Sequence, residues 1–297
     1  SPEKLYKHFI RDKYDIIVSY LEGPTARIVS GCTNPNTKLV SWIHIEQHTK
    51  ELASKSFRSY KEALDCYSKF DRTVCVSDTV KDDFESIFDT KKPVEVLYNT
   101  NESEKIKKLS DEKVNDVNFS KDIINIISVA KIVPSKGYDR LMKIHKKLIE
   151  KNIKNHIYIL GIGEEKEKYE KYLAENNLTD TFTFLGYRDN PYKYVKKADL
   201  YVCSSRREGF STAVTEALIV GTPVVSTNCS GAYELLGENN EYGIVTENDE
   251  DALYEGIEKI LTTPDLLEAY AAKAKERGKA FSTEKTVKAV EEMLLSI

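Results

Sequence analysis

Short runs of consecutive apolar residues alternate with stretches of helical periodicity along almost the whole chain. The apolar runs predict strands: YDIIVSYL, KLVSWIH, RTVCVS and VEVLYN before residue 101, and IINIISVA, HIYILGI, TFTFLGY, DLYVCSS, TPVVSTN and YGIVTEN after residue 121. Continuous rather than alternating hydrophobicity is typical of strands buried on both faces of a parallel sheet. The repeated strand–helix units therefore predict an α/β fold with two Rossmann-like parallel-sheet domains.

A charged segment from Asn101 to Lys121 interrupts this alternation. The strand–helix pattern restarts after it, which predicts a domain boundary near residue 120. We therefore predict a first domain over residues 1–120 and a second domain over residues 121–280. A chain of 297 residues is long enough for two such domains.

Composition and charge are those of a soluble globular protein. Hydrophobic residues make up 40% of the chain and charged residues 31%, enough apolar material for a core. The 44 basic residues are balanced by 48 acidic ones, and the net charge of −4 argues against a nucleic acid partner. No apolar run approaches 18 residues and no signal-peptide pattern is present, so we expect a cytoplasmic location.

The cysteine pattern indicates neither a disulfide framework nor a zinc knuckle. The five cysteines are odd in number, widely spaced and without a Cys-x-x-Cys pair: Cys32, Cys66, Cys75, Cys203 and Cys229. Cys75 and Cys203 lie in apolar strand-like runs, where we expect buried free thiols. A reducing compartment fits this usage.

The segment SSRREGFSTAVTEAL, residues 204–218, follows a predicted strand and leads into a helix that Gly221 is expected to end. Ligands of parallel α/β sheets bind beyond the carboxyl ends of strands, so this position favours a binding site. Ser211 or Thr212 can cap the helix. The N–H groups of Thr212 and Ala213 would then be available to an anion.

Two carboxylates, Glu208 and Glu216, bracket this turn, with Gly209 and Phe210 between them. Gly209 lets the backbone come close to a ligand. Glu216 lies one turn inside the helix, where its carboxylate can accept two hydroxyl hydrogens, as a ribose offers. Solvated surface acids are the alternative, but the strand–turn–helix context favours ligand binding.

Two lysines follow the first strand of the second domain, in SVAKIVPSKGYDRL. Lys131 comes at the strand end, and Lys136 lies in the loop before a helix. Ammonium groups at this spacing can hold a diphosphate as point charges. Lysines on loops are usually only solvated, but these strand ends should face the same cleft as Thr212.

Two further loops after strands offer weaker candidates. Gly161-Ile162-Gly163 invites comparison with a dinucleotide-binding turn, but Lys166 stands where the third glycine is needed, so we reject an NAD site and expect a tight strand–helix turn. Tyr187 and Arg188, in LGYRDN, could flank a planar base. A plain turn with an aromatic residue packed on the next helix is an equal alternative.

The first domain contributes candidates at two strand ends. His44 and His48, in SWIHIEQH, have a spacing that can bind metal, but the supporting sequence of zinc hydrolases is missing, so we expect no metal. His44 could hydrogen-bond a substrate, whereas His48 is expected to cap or decorate the following helix. Glu22 and Gly23 could contact an acceptor, although a structural turn is favoured there.

The stretch TKELASKSFRSYKEAL is predicted as one helix with a basic face, and four of its residues are cationic: Lys50, Lys55, Arg58 and Lys61. Such a face could touch an anionic membrane surface at the periphery. A solvated face is favoured over membrane contact.

These motifs resemble those of the retaining, family-four glycosyltransferases with the GT-B architecture. Glu208 and Glu216 resemble the donor-site Glu-x7-Glu signature, VAKIVPSKGYDRL the phosphate-binding segment, LGYRDN the base-reading loop, and WIH the histidine loop of the first domain. YLEGPT and WIHIEQH are also similar to members that build bacterial surface polysaccharides.

The resemblance implies two domains that face a cleft, with a nucleotide-sugar donor, UDP-linked in our expectation, bound by the second domain. A glycan or lipid-linked acceptor would bind the first domain, and residues 281–297 would form a helix that crosses back onto it. Lys131 and Lys136 would neutralise the departing diphosphate, Glu216 would hold the ribose and Glu208 the transferred sugar. His44 would lie near the reacting centre. No metal or other cofactor is expected.

Two departures from the family pattern stand out. Lys131 occupies a position where arginine is common, and an ammonium group cannot make the bidentate contact that a guanidinium makes with a phosphate. The family's opening strand and glycine-rich loop have no counterpart ahead of Tyr14. We therefore expect a first domain that is incomplete at its N-terminus. Two alternatives to a transferase are a non-catalytic nucleotide-sugar-binding subunit and a sugar-nucleotide epimerase on the same fold.

Overall fold

The computed structural model describes residues 1–297, which divide into two compact units. Residues 1–99 and 284–297 form the first unit, and residues 100–283 form the second. Helices and strands are numbered below in chain order. No helix in either unit combines the length and the apolar character that crossing a bilayer requires.

The first unit contains a parallel sheet of four strands in the order β1-β2-β3-β4. Its strands are β1 (Ile16–Ser19), β2 (Lys38–Ile43), β3 (Arg72–Cys75) and β4 (Val94–Val96). Its helices are α1 (Pro2–Phe9), α2 (Pro24–Val29), α3 (Lys50–Ala53), α4 (Tyr60–Tyr67), α5 (Asp78–Ile87) and the C-terminal α14 (Thr283–Leu295).

The second unit contains a parallel sheet of six strands in the order β10-β9-β8-β5-β6-β7. The strands are β5 (Ile124–Val129), β6 (Asn155–Leu160), β7 (Phe182–Gly186), β8 (Leu200–Cys203), β9 (Val224–Thr227) and β10 (Ile244–Thr246). The helices are α6 (Ser103–Ser110), α7 (Tyr138–Glu150), α8 (Lys166–Glu175), α9 (Tyr192–Lys197), α10 (Thr212–Val220), α11 (Ala232–Leu236), α12 (Glu250–Thr262) and α13 (Leu266–Gly278).

The strand order of the second unit reverses between β5 and β8. Ile126 and Ile127 of β5 pair with Leu200 and Tyr201 of β8, while the connections after the two strands run toward opposite edges of the sheet. The loops therefore diverge at this point and leave a crevice, which is where ligands bind in doubly wound folds.

The predicted α/β fold with two parallel sheets is confirmed, and each of the ten predicted apolar runs contributes a strand, with β6 beginning one residue before its run. The buried thiols predicted at Cys75 and Cys203 are found, with exposures of 0% and 4%. All five cysteines are free.

The division between the units lies after Asn99 rather than near residue 120. Helix α6 packs against α9 and α10. Beyond it, the side-chain amide of Asn190 donates to the Leu109 carbonyl over 2.9 Å, and the Tyr194 hydroxyl donates to Asp116 over 2.8 Å. The charged composition of this segment therefore reflects a solvated face of the second unit, not a linker.

The single basic helix predicted over residues 49–64 is wrong, because two short helices replace it. Helix α3 ends at Ala53, and α4 begins at Tyr60 with Ser59 as its N-cap. The Ser59 hydroxyl accepts a hydrogen bond from the Glu62 amide over 3.1 Å. Serine at this position competes with helical backbone hydrogen bonds, which explains the interruption.

A buried histidine ties α7 to the sheet of the second unit. His145 is fully buried, with Nδ1 2.7 Å from the Asn155 side-chain oxygen and Nε2 2.8 Å from the Thr181 hydroxyl. Burial lowers the pKa of His145 to about 4, so the ring is neutral near pH 7. Both ring nitrogens are satisfied, which indicates a structural role.

We expect His145→Ala to lower the free energy of unfolding by about 3 kcal/mol, because Asn155 and Thr181 would lose buried partners and a cavity would form. Urea denaturation followed by circular dichroism measures the change. His8→Ala, at an exposed position on α1, is the control and should change stability little. An equal effect of both substitutions would contradict the structural role.

Candidate anion-binding site

A cavity of about 300 Å³ opens at the carboxyl ends of β5 and β8. Its lining comes from three parts of the chain together with Lys136 and Tyr138: residues 128–131 at the end of β5 and just beyond it, Tyr201, Cys203 and Ser205 at the end of β8 and just beyond it, and Glu208 with residues 210–213 at the entry to α10. The cavity thus lies at the switch point of the sheet. Lys131, Lys136, Glu208 and Thr212, which were predicted from separate motifs, are among its lining residues.

The N-terminus of α10 forms one wall of the cavity. Ser211 is the N-cap, and its hydroxyl accepts a 3.4 Å hydrogen bond from the Val214 amide. Thr212 and Ala213 line the cavity at the first positions of the helix, whose N–H groups have no partner within the helix. The helix ends at Gly221 in a left-handed conformation. This wall favours an anion.

Lys136 and Glu208 meet inside the cavity as an ion pair. Lys136 Nζ lies 2.6 Å from Glu208 Oε1, and the side chains are 23% and 15% exposed. The Ser205 hydroxyl donates to the same Glu208 oxygen over 2.6 Å. Two residues predicted from separate motifs, 72 positions apart, are therefore in direct contact.

Lys131 lies on the rim of the cavity, on a loop held by the Gly161–Gly163 turn. The Ile132 amide donates to the Ile162 carbonyl over 2.9 Å, continuing the pairing of β5 and β6. A Cβ at Gly161 would stand 1.9 Å from the Ala130 carbonyl oxygen, so only glycine allows this approach. The Gly-x-Gly turn serves to position the Lys131 loop.

Glu216 does not line this cavity and has one phenol as a partner. The Tyr192 hydroxyl donates to Glu216 Oε1 over 3.5 Å. Burial raises the pKa of Glu216 to about 7, against the opposing effect of this hydrogen bond. Its carboxyl group therefore titrates in the physiological range.

Tyr187 and Arg188 are not among the residues that line the cavity. Tyr187 is 66% exposed. The Arg188 guanidinium is 3.2 Å from Asp116 and lies over the Tyr194 ring at 6.0 Å. These contacts engage Arg188 within the protein, so its role in binding a base stays a prediction.

His44 belongs to the first unit, in the loop after β2. Its backbone amide donates to Glu22 over 2.9 Å, and its ring stands edge-on to Tyr20 at 4.9 Å. Burial lowers the pKa of His44, against the opposing effects of Glu22 and a hydrogen bond with the Tyr20 backbone. Nε2 is buried without a protein partner, so it can donate to or accept from a ligand.

His48 does not cap the next helix, which was one of the two roles expected for it. Thr49 is the N-cap of α3. The amides of Gln47 and His48 donate to the Asp83 carboxylate over 2.6 and 3.0 Å, which explains the left-handed backbone at His48. No group of three or more metal-binding side chains forms in the structure.

Arg140 was not predicted as a site residue, yet it holds the loops of the cavity from behind. Arg140 is 4% exposed on the first turn of α7. Its guanidinium donates to the Ser204 carbonyl over 2.6 and 2.9 Å and to the Ser205 carbonyl over 2.7 Å. An arginine inside an amphipathic helix gives no sequence signal for such burial, because its partners are more than 60 residues away.

Asn248, in the loop after β10, completes this arrangement. Its side-chain oxygen accepts from Arg140 over 2.8 Å, and its amide nitrogen donates to the carbonyls of Arg206 and Asn228 over 3.0 and 3.1 Å. The loops after β8, β9 and β10 are thus joined to the start of α7. We call Arg140 and Asn248 the Arg140–Asn248 bracket.

The fold and the cavity define a Rossmann-like α/β protein with a lysine-lined cavity at the switch point of its second sheet. A family model for glycosyl transferases group 1 matches residues 110–277, more than half of the chain. N-acetylgalactosamine-N,N'-diacetylbacillosaminyl-diphospho-undecaprenol 4-alpha-N-acetylgalactosaminyltransferase of Campylobacter jejuni is 31% identical over 277 residues, 91% of this chain and 70% of that protein. The chain belongs to the glycosyl transferases group 1 family.

Solved structures share the fold at low sequence identity. HepE of Anabaena in complex with UDP-glucose superposes with a TM-score of 0.79 and 16% identity, over 100% of this chain and 82% of that one. A trehalose-6-phosphate synthase studied for glycosyltransfer with retention gives a TM-score of 0.81 and 15% identity, over 100% and 77% of the two chains.

We expect Arg140→Met to loosen the loop after β8, because the carbonyls of Ser204 and Ser205 would be left buried without their charged donor. Amide hydrogen exchange over residues 204–210, followed by mass spectrometry, should become at least about tenfold faster. Lys143→Met, at an exposed position of the same helix, is the control and should leave this exchange unchanged. Unaltered exchange in the Arg140 variant would contradict the bracket.

Proposed function

We propose that the chain is a retaining glycosyltransferase that moves a sugar from a UDP-sugar to a hydroxyl of a glycan or lipid-linked acceptor. The observation that carries the proposal is the convergence of Lys136, Lys131 and the N-terminus of α10 on one cavity at the switch point of the sheet. Two cations and a helix N-terminus favour a diphosphate over a neutral ligand. The HepE complex with UDP-glucose supports the choice of nucleotide.

The chemistry follows from where charge develops. The bond between the sugar C1 and the diphosphate oxygen breaks, and its electron pair stays on that oxygen. The acceptor oxygen attacks C1 from the face that the diphosphate leaves, and the acceptor proton passes to the diphosphate. Retention of configuration results. Lys136 and the amides of Thr212 and Ala213 stabilise the oxygen as it becomes charged, which lowers the barrier.

Two carboxylates are assigned to the donor. Glu216, ionised, accepts the two ribose hydroxyls, and Glu208 accepts hydroxyls of the transferred sugar. Glu208 is tied to Lys136 and Ser205 through Oε1, which leaves Oε2 for a ligand. Phe210 and Gly209 complete the turn against which the donor packs. Tyr187 and Arg188 remain our candidates for binding the nucleotide base of the donor.

The acceptor is assigned to the first unit, where His44 offers an unpartnered Nε2 beside Tyr20 and Glu22. The Campylobacter relative is named for a diphospho-undecaprenol-linked saccharide acceptor. That name supports a lipid-linked acceptor for this chain and, with it, a peripheral position at the cytoplasmic face of a membrane. We expect no metal ion to be needed, because lysines and helix amides are assigned to the diphosphate.

Incubation of the chain with radiolabelled UDP-sugars and a lipid-linked oligosaccharide tests the function. We expect release of UDP coupled to sugar transfer, and slow donor hydrolysis without acceptor. Lys136→Ala should lower kcat about a hundredfold, because it removes one charge contact made to the leaving oxygen in the transition state.

Lys151→Ala is the matched control for this variant, since that lysine pairs with Glu258 away from the cavity. It should keep the full rate. Interconversion of UDP-sugars without release would instead indicate an epimerase, and tight binding without turnover would indicate a binding subunit. A full rate for Lys136→Ala would remove this lysine from the proposed mechanism.

We expect donor affinity to fall as the pH drops through the pKa of Glu216, about 7, because the protonated carboxyl cannot accept both ribose hydroxyls. The dissociation constant of the UDP-sugar should rise up to about tenfold between pH 8 and pH 6, as the ionised fraction falls. Calorimetry with a UDP-sugar measures this. UDP itself is avoided because its terminal phosphate titrates near pH 6.

Glu216→Gln is the control for the pH dependence. It should bind the donor weakly at every pH, with a flat profile over this range. An unchanged pH profile in the glutamine variant would assign the dependence to another group and refute the ribose role of Glu216.

A further inference from the structure

The ion pair of Lys136 and Glu208 fills the place that the proposed mechanism gives to a phosphate. The 2.6 Å contact lies within the cavity, and both side chains are largely shielded from solvent. The Ser205 hydroxyl holds the same carboxylate oxygen at 2.6 Å. The cation needed for the diphosphate therefore has an anionic partner within the protein itself.

Lys136 has three donor hydrogens, so hydrogen bonding alone would allow it to contact Glu208 and a phosphate together. Charge opposes this arrangement. A carboxylate and a diphosphate that share one ammonium group lie a few ångströms apart, and in a partly buried site their repulsion is poorly screened. The diphosphate can bind well only if the charge of Glu208 is offset in another way.

We propose that Glu208 is an internal competitor of the diphosphate. It pairs with Lys136 when no donor is bound and releases it when hydroxyls of the donor sugar engage the carboxylate. It forms the ion pair with Lys136 again once the sugar has moved to the acceptor. Glu208 thereby weakens binding of the product UDP relative to the donor and hastens its release. The proposal rests on the proposed function, in which the cavity binds a nucleoside diphosphate.

Two features of the site fit an exchange of partners. Lys136 follows Pro134 in a short 3-10 turn, and its long side chain can move while its backbone stays fixed by neighbouring loops. The Ser204 hydroxyl donates to the Lys136 carbonyl over 2.8 Å. Glu208 is likewise kept near by Ser205, so it can return to Lys136 without a rearrangement of the loop.

Titration with UDP, followed by calorimetry and stopped-flow dissociation, tests the proposal. Glu208→Gln keeps the shape of the side chain and removes its charge. We expect this variant to bind UDP about tenfold more tightly and to release it correspondingly more slowly, while sugar transfer falls. A variant that was merely misfolded would bind less UDP, with a lower stoichiometry. Equal or weaker UDP binding in Glu208→Gln overturns the proposal.

Lys136→Met provides the second arm. In the Lys136→Met background the Glu208→Gln change should tighten UDP binding little, because the ammonium group for which Glu208 and the diphosphate compete is gone. The double-mutant cycle should therefore show an interaction energy between positions 136 and 208. A full tenfold gain in UDP affinity in both backgrounds would mean that Glu208 repels the diphosphate whether or not Lys136 is present. That result would overturn the proposed exchange of partners at Lys136. If wild-type chain and Glu208→Gln both fail to bind UDP and no donor is hydrolysed, the proposed function itself fails.

Discussion

The shape of the cavity depends on the hydrogen bonds that the buried guanidinium of Arg140 donates to the surrounding loops. Arg140 is 4% exposed, and the acceptors of its recorded hydrogen bonds are neutral carbonyl oxygens and the Asn248 side chain. A buried charge of this kind is tolerated only when every donor is satisfied. The carbonyls of Ser204 and Ser205, two successive residues, turn inward to accept from this guanidinium. The following amide, of Arg206, then points away and donates to the Ser135 carbonyl over 2.7 Å.

This constraint links the loop after β8 to the loop that carries Lys136. Arg206 adds a bidentate pair with Asp139 at the start of α7, at 2.7 Å for each contact, and its guanidinium donates to the Pro134 carbonyl over 2.8 Å, so the two loops are joined on the exposed side as well. Ser205 lies between these anchors, and its hydroxyl holds Glu208. The backbone that carries Lys136, Ser205 and Glu208 is therefore held from behind the cavity by Arg140, Asn248 and Arg206, as a preorganised charged site requires.

Features that depend on local sequence were predictable. The apolar runs gave the parallel sheets, Ser211 and Gly221 marked the ends of α10, and the position of Lys136 and Glu208 after strands brought them to one cavity. Features that depend on distant contacts were not. Arg140 meets Asn248 across 108 residues. The charged segment before residue 120 belongs to the second unit because side chains of α9 and of the loop before it hydrogen-bond to this segment. The periodicity of hydrophobic residues gives no sign of such contacts.

The balance of charge around the cavity offers a reason for a carboxylate within a site that we propose to bind a diphosphate. Two lysines and the amino end of α10 would attract any diphosphate, including a product that has to leave. Uniformly tight binding lowers the free energy of the product complex as much as that of the transition state, so it does not raise turnover. Under the exchange proposed for Glu208, Lys136 is paired with this carboxylate when no sugar is present. The site then has one fewer cation available to a diphosphate. Affinity is then concentrated on the state in which the sugar is still attached.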